Sequence, residues 1–462
     1  MSGQRALFAA ALAVGVLLRV LALPSQGTGD TTVWKIWMYN AAREPVGTLY
    51  GVGGAPPERR ILRFAGADAP VDYPPLALYE LGAVGRLYRA WSHRRFPNTD
   101  ALNVFVKLAP LAADVAFAVM LYMLTRNRWA TAAYWLNPAV IVNASVLGYL
   151  DLLYVLPAAA AVAAAASDSA TLAGALIAAA VLTKAQAVFV APAVALALIA
   201  TRWPRGVRAA CVGVARAAIG ATAVTVAAML PVVVAGGLAN MIQALSRLAQ
   251  HDMVSANACN LWWIVGWVVR AAASTHDLGA WRAFTMPTQI LGISRMIELG
   301  YPNPRGVGLV LTGTACGWAL WTGRRARGAA LFAGLAAFLV HAYSTLSAQV
   351  HENHLFAAVP LLALAAADAP PFRPIAIGVT AVVALNLNLF YGFGNGVGYA
   401  LPRDVTIVDA TVVLAVINCA LLCFHARALR AASSTAAGSL QGPAPACHRG
   451  PEARMDSSAT HT

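Results

Sequence analysis

Apolar runs of membrane-spanning length alternate with short basic clusters almost from end to end of the chain. One long polar stretch, residues 27–76, interrupts that pattern just after the first apolar run, 7–23. A helix needs about 17–25 apolar residues to cross the hydrocarbon layer. Runs at 104–124, 130–147, 150–166, 170–183 and 186–200, and one ending near 234, predict spans. After a polar segment they resume at 306–322, 329–347, 353–368, 373–391 and 405–424. Residues 76–91 carry Glu80, Arg86 and Arg89 and predict a helix lying at the interface instead.

The stretch 27–76 cannot lie in hydrocarbon, where its backbone groups would go unpaired. It predicts a large external first loop, within 25–103, laid across the mouth of a helical bundle. The expected fold is therefore all-α, a polytopic bundle with about twelve spans, or about eleven to fourteen depending on how 236–305 crosses. Residues 1–430 form the membrane domain in this reading. Residues 431–462, rich in Ala, Ser, Gly and Pro, predict a disordered cytoplasmic tail.

Composition agrees. Hydrophobic residues make up 59% and charged residues 11%, against about 25% charged in a soluble domain, and the mean hydropathy is +0.64. The first run resembles a signal peptide, but Pro24-Ser25-Gln26-Gly27 offers no small-x-small cleavage site and more spans follow, so an uncleaved span is expected. The net charge of +14 comes from Arg clusters between apolar runs, the product of the positive-inside rule, and requires no nucleic-acid partner. Six cysteines (Cys211, Cys259, Cys316, Cys419, Cys423, Cys447) show no metal-binding spacing and read as packing residues. Ala-rich stretches such as 158–166 read as close helix-packing surfaces.

The clusters Arg126/Arg128, Arg202/Arg205/Arg208, Arg324/Arg325/Arg327 and Arg427/Arg430 all fall inside if the N-terminus is cytoplasmic. Asp30, Asp72, Asp151, Lys184, the 251–263 segment and His351-Glu352-Asn353-His354 then all fall at external span ends. Ionisable groups at membrane depth are costly and mark sites.

Each of these has a structural and a chemical reading. Asp30 is either an N-cap for the helix bearing Trp34 and Trp37 or a general base. Asp72-Tyr73-Pro74-Pro75 is a rigid loop-to-helix junction or a recognition element. Asp151 either caps a helix or meets substrate. Lys184, followed by Gln186, either snorkels or holds an anion such as a lipid phosphate. The HExH spacing does not set His351 and His354 one helical turn apart, so no metal is expected, and imidazole donors oriented by Glu352 suit a phosphate. Trp262 and Trp263 suit interfacial anchoring, and Trp262 is also a candidate substrate contact together with His251, Asp252, Asn257 and Asn260. The chain has no P-loop and no dinucleotide fingerprint, so a transferase of this kind would draw its donor from the membrane.

The order of these blocks resembles the GT-C glycosyltransferases, above all the dolichyl-phosphate-glucose-dependent glucosyltransferases of lipid-linked oligosaccharide assembly and their bacterial relatives. The likeness rests on Gly29-Asp30 and the tryptophans after it, Asp72-Tyr73-Pro74-Pro75-Leu76, Lys184 with Gln186 and Pro192, and Gln349-Val350-His351-Glu352. Ser255-Ala256-Asn257 through Asn260-Leu261-Trp262 extends it, so that it covers about residues 27–368. Asp151 departs from it, standing where those enzymes have a histidine-rich segment. The resemblance implies an inverting, metal-independent transfer without cofactor, Asp30 as base, and Lys184 and His351 at the carrier phosphate of a polyprenyl-phosphate-sugar donor. Bacterial mannosyltransferases share the scaffold, so mannose and glucose stay open, as do glycolipid, oligosaccharide and protein acceptors. The compact, Ala-rich chain points to a bacterial inner membrane, with the endoplasmic reticulum as the alternative. The rival class is a transporter or lipid flippase lined by the same residues; no obvious inverted repeat supports it.

Overall fold

In the computed structural model, which describes residues 3–51, 60–248, 250–393 and 400–438, the apolar runs become helices. The N-terminal half contains α1 (Gly3–Ala22), α2 (Gly29–Ala41), strands β1 (Ile61–Phe64) and β2 (Ala67–Pro70), α3 (Pro75–Trp91), α4 (Asp100–Thr125), α5 (Arg128–Trp135) and α6 (Pro138–Leu147). Next come α7 (Asp151–Ala166), α8 (Ala170–Thr183), α9 (Ala191–Arg202), α10 (Val207–Val234) and α11 (Leu238–Leu248). The C-terminal half has β3 (Ser255–Ala256), α12 (Leu261–Leu278), α13 (Ala280–Thr285), α14 (Ile293–Glu298), α15 (Pro304–Gly323) and α16 (Gly328–Leu346). It ends with β4 (Val350–His351), α17 (Ala358–Asp368), α18 (Arg373–Tyr391) and α19 (Ala410–Gly438).

Among the described residues, seven helical segments are long and apolar enough to cross a membrane: α1, α4, Ala185–Arg205, α10, α16, Pro370–Tyr391 and Ala410–Ser434. Four shorter apolar helices, α6, α7, α8 and His354–Asp368, stand where further spans are expected. The chain is thus an all-α, multi-pass membrane bundle. The Ala-rich α7 is buried on most sides and packs on α8, α4 and α9. Small residues do bring backbones together here: a Cβ on Gly174 of α8 would sit 1.8 Å from the Ala217 carbonyl of α10, and one on Gly220 2.0 Å from that of Thr171.

Three expectations change. The predicted span 130–147 is broken at Leu136-Asn137-Pro138, because Pro138 has no N–H to continue α5. Asn137 restarts the helix, its Oδ1 accepting from the N–H groups of Ala139 (2.9 Å) and Val140 (3.3 Å), and the restarted segment runs as a π-turn to Gly148, φ 73°. The last helix starts later than expected and runs to Gly438, past the boundary expected for the tail; residues 439–462, including Cys447, lie outside the described residues. The loop 27–76 is built around α2 and a hairpin that pairs Ile61 with Pro70 and Phe64 with Ala67. Ala65 and Gly66, φ 52° and 82°, form its two-residue turn. Trp34 and Trp37 are buried beneath this hairpin, and Trp37 Nε1 donates to the Pro70 carbonyl at 3.0 Å.

Two buried cations in the spans were not singled out by the sequence pattern. Arg19 of α1 donates to Asp114 of α4 (2.6 Å) and to the Trp135 carbonyl (2.7 Å), with Tyr134 donating to the same carboxylate (2.9 Å). Lys107 of α4 donates to Leu23 O, Ser25 O, Ser25 Oγ and Val146 O at 2.7–3.2 Å, and so closes the ends of α1 and α6 together. Removing one partner of a buried pair strands the other charge. Asp114→Ala is therefore expected to cost about 3–5 kcal/mol in detergent thermal unfolding. Asp114→Leu combined with Arg19→Met and Tyr134→Phe is expected to restore most of that loss; an unchanged midpoint in Asp114→Ala would show the pair to be solvated.

Candidate functional site

Four separate parts of the chain bring polar groups to one end of the bundle. The first is the start of α2. Asp30 stands in its first turn, where a carboxylate is favoured by the helix dipole, but the cap position is Thr28, so Asp30 does not serve as the N-cap. Thr31 holds the turn in place by donating to the Leu147 carbonyl at the end of α6 (2.9 Å). Solvent reaches Asp30, and among the described residues no hydrogen bond or ion pair engages its carboxylate. The protein packed around it, and then the Glu352 charge, raise its carboxyl above the usual aspartate value, while Lys184 and His351 pull it down.

The second part is the junction of α7 and α8. Lys184 leaves α8 in an extended conformation and is buried. Its Nζ donates to Asp151 Oδ1 at 2.5 Å, and Asn143 Nδ2 donates to the other carboxylate oxygen at 3.0 Å. Asp151 is therefore an ion-pair partner, the first residue of α7 after Leu150, and it makes no side-chain cap. The rings of Tyr73 and Tyr154 flank the ammonium, each centroid 5.7 Å from Nζ. Lys184 therefore neither snorkels nor stands unpaired: its charge is matched by Asp151.

The third part is the segment from β4 into α17. β4 pairs with β3 in parallel, Ala256 opposite His351, and this short ladder fixes the His-Glu block. Glu352 is buried and accepts from Tyr149 Oη at 2.5 Å and from the Tyr391 hydroxyl. Burial raises its carboxyl, and the two phenols work against that rise. His354 is also buried, with Nε2 3.1 Å from Gln186 Nε2 and Nδ1 3.0 Å from Tyr343 Oη. The Gln186 amide nitrogen can only donate, so His354 Nε2 accepts and its Nδ1–H faces Tyr343. Both ring nitrogens are thus used inside the protein.

His351 differs. It is half-buried, and among the described residues no hydrogen bond engages its ring. Its ring lies 6.2 Å from that of His251 and 5.4 Å from that of His354. Burial brings its imidazole down to about 4, so it is neutral at pH 7 and offers one N–H donor and no charge. Asn257, in the left-handed region at φ 56°, reaches Tyr391 Oη at 3.4 Å and bridges to His351.

The fourth part is the Asp-Tyr-Pro-Pro block. Tyr73 sits edge-on to Trp34, with centroids 5.1 Å apart, and its carbonyl accepts from Tyr50 Oη at 2.7 Å. Asp72 is half-buried beside Tyr73 and Tyr50, while the cap position of α3 is Pro74. Trp262 stands apart from this cluster. It is buried with Val254, Leu291 and Met296 and donates to the Leu346 carbonyl at 2.8 Å, as a packing anchor. Of the sequence-chosen residues, the structure thus gathers Asp30, Tyr73, Asp151, Lys184, Gln186, His351, Glu352 and His354, with His251 and Asn257 at the edge. Tyr149, Tyr154, Tyr343 and Tyr391 belong to the cluster and were missed, though Tyr149 lies two residues before Asp151. Among the described residues, no three His, Cys, Asp or Glu side chains come together as a metal-ligand set.

The two perturbed groups predict opposite pH effects on stability. A carboxyl raised by folding stabilises at low pH and loses that contribution as pH rises through its folded value, so ionised Asp30 weakens the fold at pH 7. Asp30→Asn is expected to raise the thermal midpoint at pH 7. A histidine lowered from 6.5 to about 4 gives stability that is whole above 6.5 and falls away towards 4. His351→Gln is expected to flatten that acid limb, measured by thermal unfolding from pH 4 to 8; parallel curves for wild type and variant would refute the burial of His351.

Compared with known proteins, the chain matches no family model and no curated protein sequence. Its function has to be read from the geometry of this cluster.

Proposed function

We propose that the chain is an integral membrane glycosyltransferase, crossing the membrane about twelve times, that moves a hexose from a polyprenyl-phosphate carrier to an acceptor on the external face with inversion. Asp30 carries this reading: a carboxylate free of internal partners, reached by solvent and raised above its usual value, faces Lys184 and His351 from other elements. A raised carboxylate is a stronger proton acceptor, which is what a general base needs.

In the proposed step the acceptor hydroxyl gives its proton to Asp30 as its oxygen attacks the anomeric carbon. The bond from that carbon to the carrier phosphate oxygen breaks on the opposite face, and the electron pair leaves with the phosphate. Charge grows on the leaving oxygen, where the neutral His351 N–H and the Lys184 ammonium would stabilise it. Lys184 is already balanced by Asp151, so it acts as an oriented dipole with its partner more than as a free cation. Tyr73, and Asp72 beside it, would line the sugar or acceptor side, with Trp34 beneath. Glu352, His354 and Gln186 hold the His-Glu segment in position through their internal hydrogen bonds.

The test is sugar transfer in reconstituted membranes, offering polyprenyl-phosphate-mannose and polyprenyl-phosphate-glucose with crude lipid acceptors. Wild type is expected to turn over one donor. Asp30→Asn is expected to lose about 10²–10⁴-fold in rate while retaining donor. Translocation of a labelled lipid with no transfer from either donor, unaffected by Asp30→Asn, would replace this reading with the flippase.

A further inference from the structure

At the end of the bundle away from Asp30, two adjoining spaces have the shape and chemistry of an amphiphile. The first is a polar pocket of about 210 Å³ bounded by Gln4 and Phe8 of α1, Arg126, and Asn127 to Trp129 at the start of α5. The second is a crevice of about 770 Å³ between α5 and α6 on one side and α17 and α18 on the other. Ala133, Leu136, Val359, Ala363 and Ile377 are among the apolar residues that line it, and Arg373 also borders it. Asn127 and Trp129 border both spaces, so the polar pocket adjoins the apolar one.

The break at Leu136-Asn137-Pro138 lies within the crevice wall. α5 packs on α17 and α6 on α18, and Asn137 Nδ2 ties the restarted segment to Thr380 of α18 at 2.9 Å. Across the mouth, Asn127 Nδ2 reaches the Ala367 carbonyl at the end of α17 (3.4 Å), and Arg373 Nε reaches that of Ala366 (3.3 Å). These contacts hold the rim together while leaving the crevice below it open.

Depth and charge together identify an occupant. The 26 residues of α4 span about 39 Å, which separates Arg126 from the external end by more than the hydrocarbon thickness of about 30 Å. The mouth therefore lies at the headgroup layer of the leaflet opposite the Asp30 cluster, and the crevice lies at acyl-chain depth. Arg126, Arg128 and Arg373 surround the mouth, and no acidic residue lines either space. Arginine at such a position recognises phosphate oxygens through paired N–H donors.

We propose that this composite site binds one anionic glycerophospholipid of the cytoplasmic leaflet, its headgroup between Arg126 and Arg128 and one acyl chain in the crevice between α5–α6 and α17–α18. The lipid would fill the crevice between these two pairs of helices. The site is independent of the sugar-transfer reading, because it needs only the membrane and the fold.

Native mass spectrometry of the full chain released from detergent micelles, with added dioleoyl phosphatidylglycerol or dioleoyl phosphatidylcholine, tests it. One phosphatidylglycerol is expected to be retained at a concentration about tenfold lower than phosphatidylcholine requires. Arg126→Gln with Arg128→Gln should erase that preference, and Ala363→Trp, which fills the crevice, should reduce retention of both lipids. Ala133→Phe serves as a second crevice-filling variant if Ala363→Trp does not fold. Equal retention of the two lipids by wild type, or unchanged retention in the crevice-filling variants, would overturn the proposal.

Discussion

The Asp151–Lys184 ion pair is the contact on which the geometry of the polar end depends. Two opposite charges, both buried, are costly to remove from water, and they persist there because each has further partners. Asn143 completes the carboxylate from α6, and Tyr73 and Tyr154 enclose the ammonium from the first loop and α7. A single interaction thereby registers the broken segment, α7, the end of α8 and the first loop against one another. Lys107 performs the companion task a few residues away, gathering the carbonyls that end α1 and α6 just before the chain enters the Gly27–Asp30 turn. Between them these two buried lysines determine where Asp30 is presented.

Much of this was legible in the sequence because hydrocarbon imposes strict rules on a chain. Run length predicts helices, and the Arg clusters predict which ends share a side. The segregation of Asp30, Asp151, Lys184 and the His-Glu block to one side is then a consequence of counting. The structure brings those residues together, and it adds a hairpin and a buried pair of tryptophans to a loop that read only as polar.

The parts that were not legible have a common cause: they depend on contacts between distant segments. Tyr149, Tyr154, Tyr343 and Tyr391 come from four different helices or helix ends, and a phenol in an apolar run carries no signal of the partner its hydroxyl will find. Nor can sequence separation show that Lys184 will pair with Asp151, 33 positions earlier. Arg19 and Asp114 were hidden for the same reason. Arg19 is the single charge of its run and Asp114 shares its run with Lys107, and only the packing of α1 on α5, with α5 against α4, reveals that Arg19 and Asp114 are one pair. Pro138 was visible as a residue, yet the crevice it borders needed α17 and α18 in place.

The charge state of the polar end has a further bearing on the proposed transfer. A pocket of free cations would bind the carrier phosphate tightly in the ground state, which lowers KM without accelerating the chemical step. Here Lys184 is paired and His351 is neutral, so the resting site offers donors and dipoles in place of net positive charge. Such groups gain most when charge develops on the leaving oxygen in a water-poor setting, because they are already oriented and need no rearrangement. Asp30 complements them, since the same packing that keeps His351 neutral raises the carboxylate's proton affinity. One physical cause, protein crowding at the mouth of the bundle, thus shifts Asp30 and His351 in the directions that the proposed inverting, in-line displacement would require of a base and a phosphate-side donor.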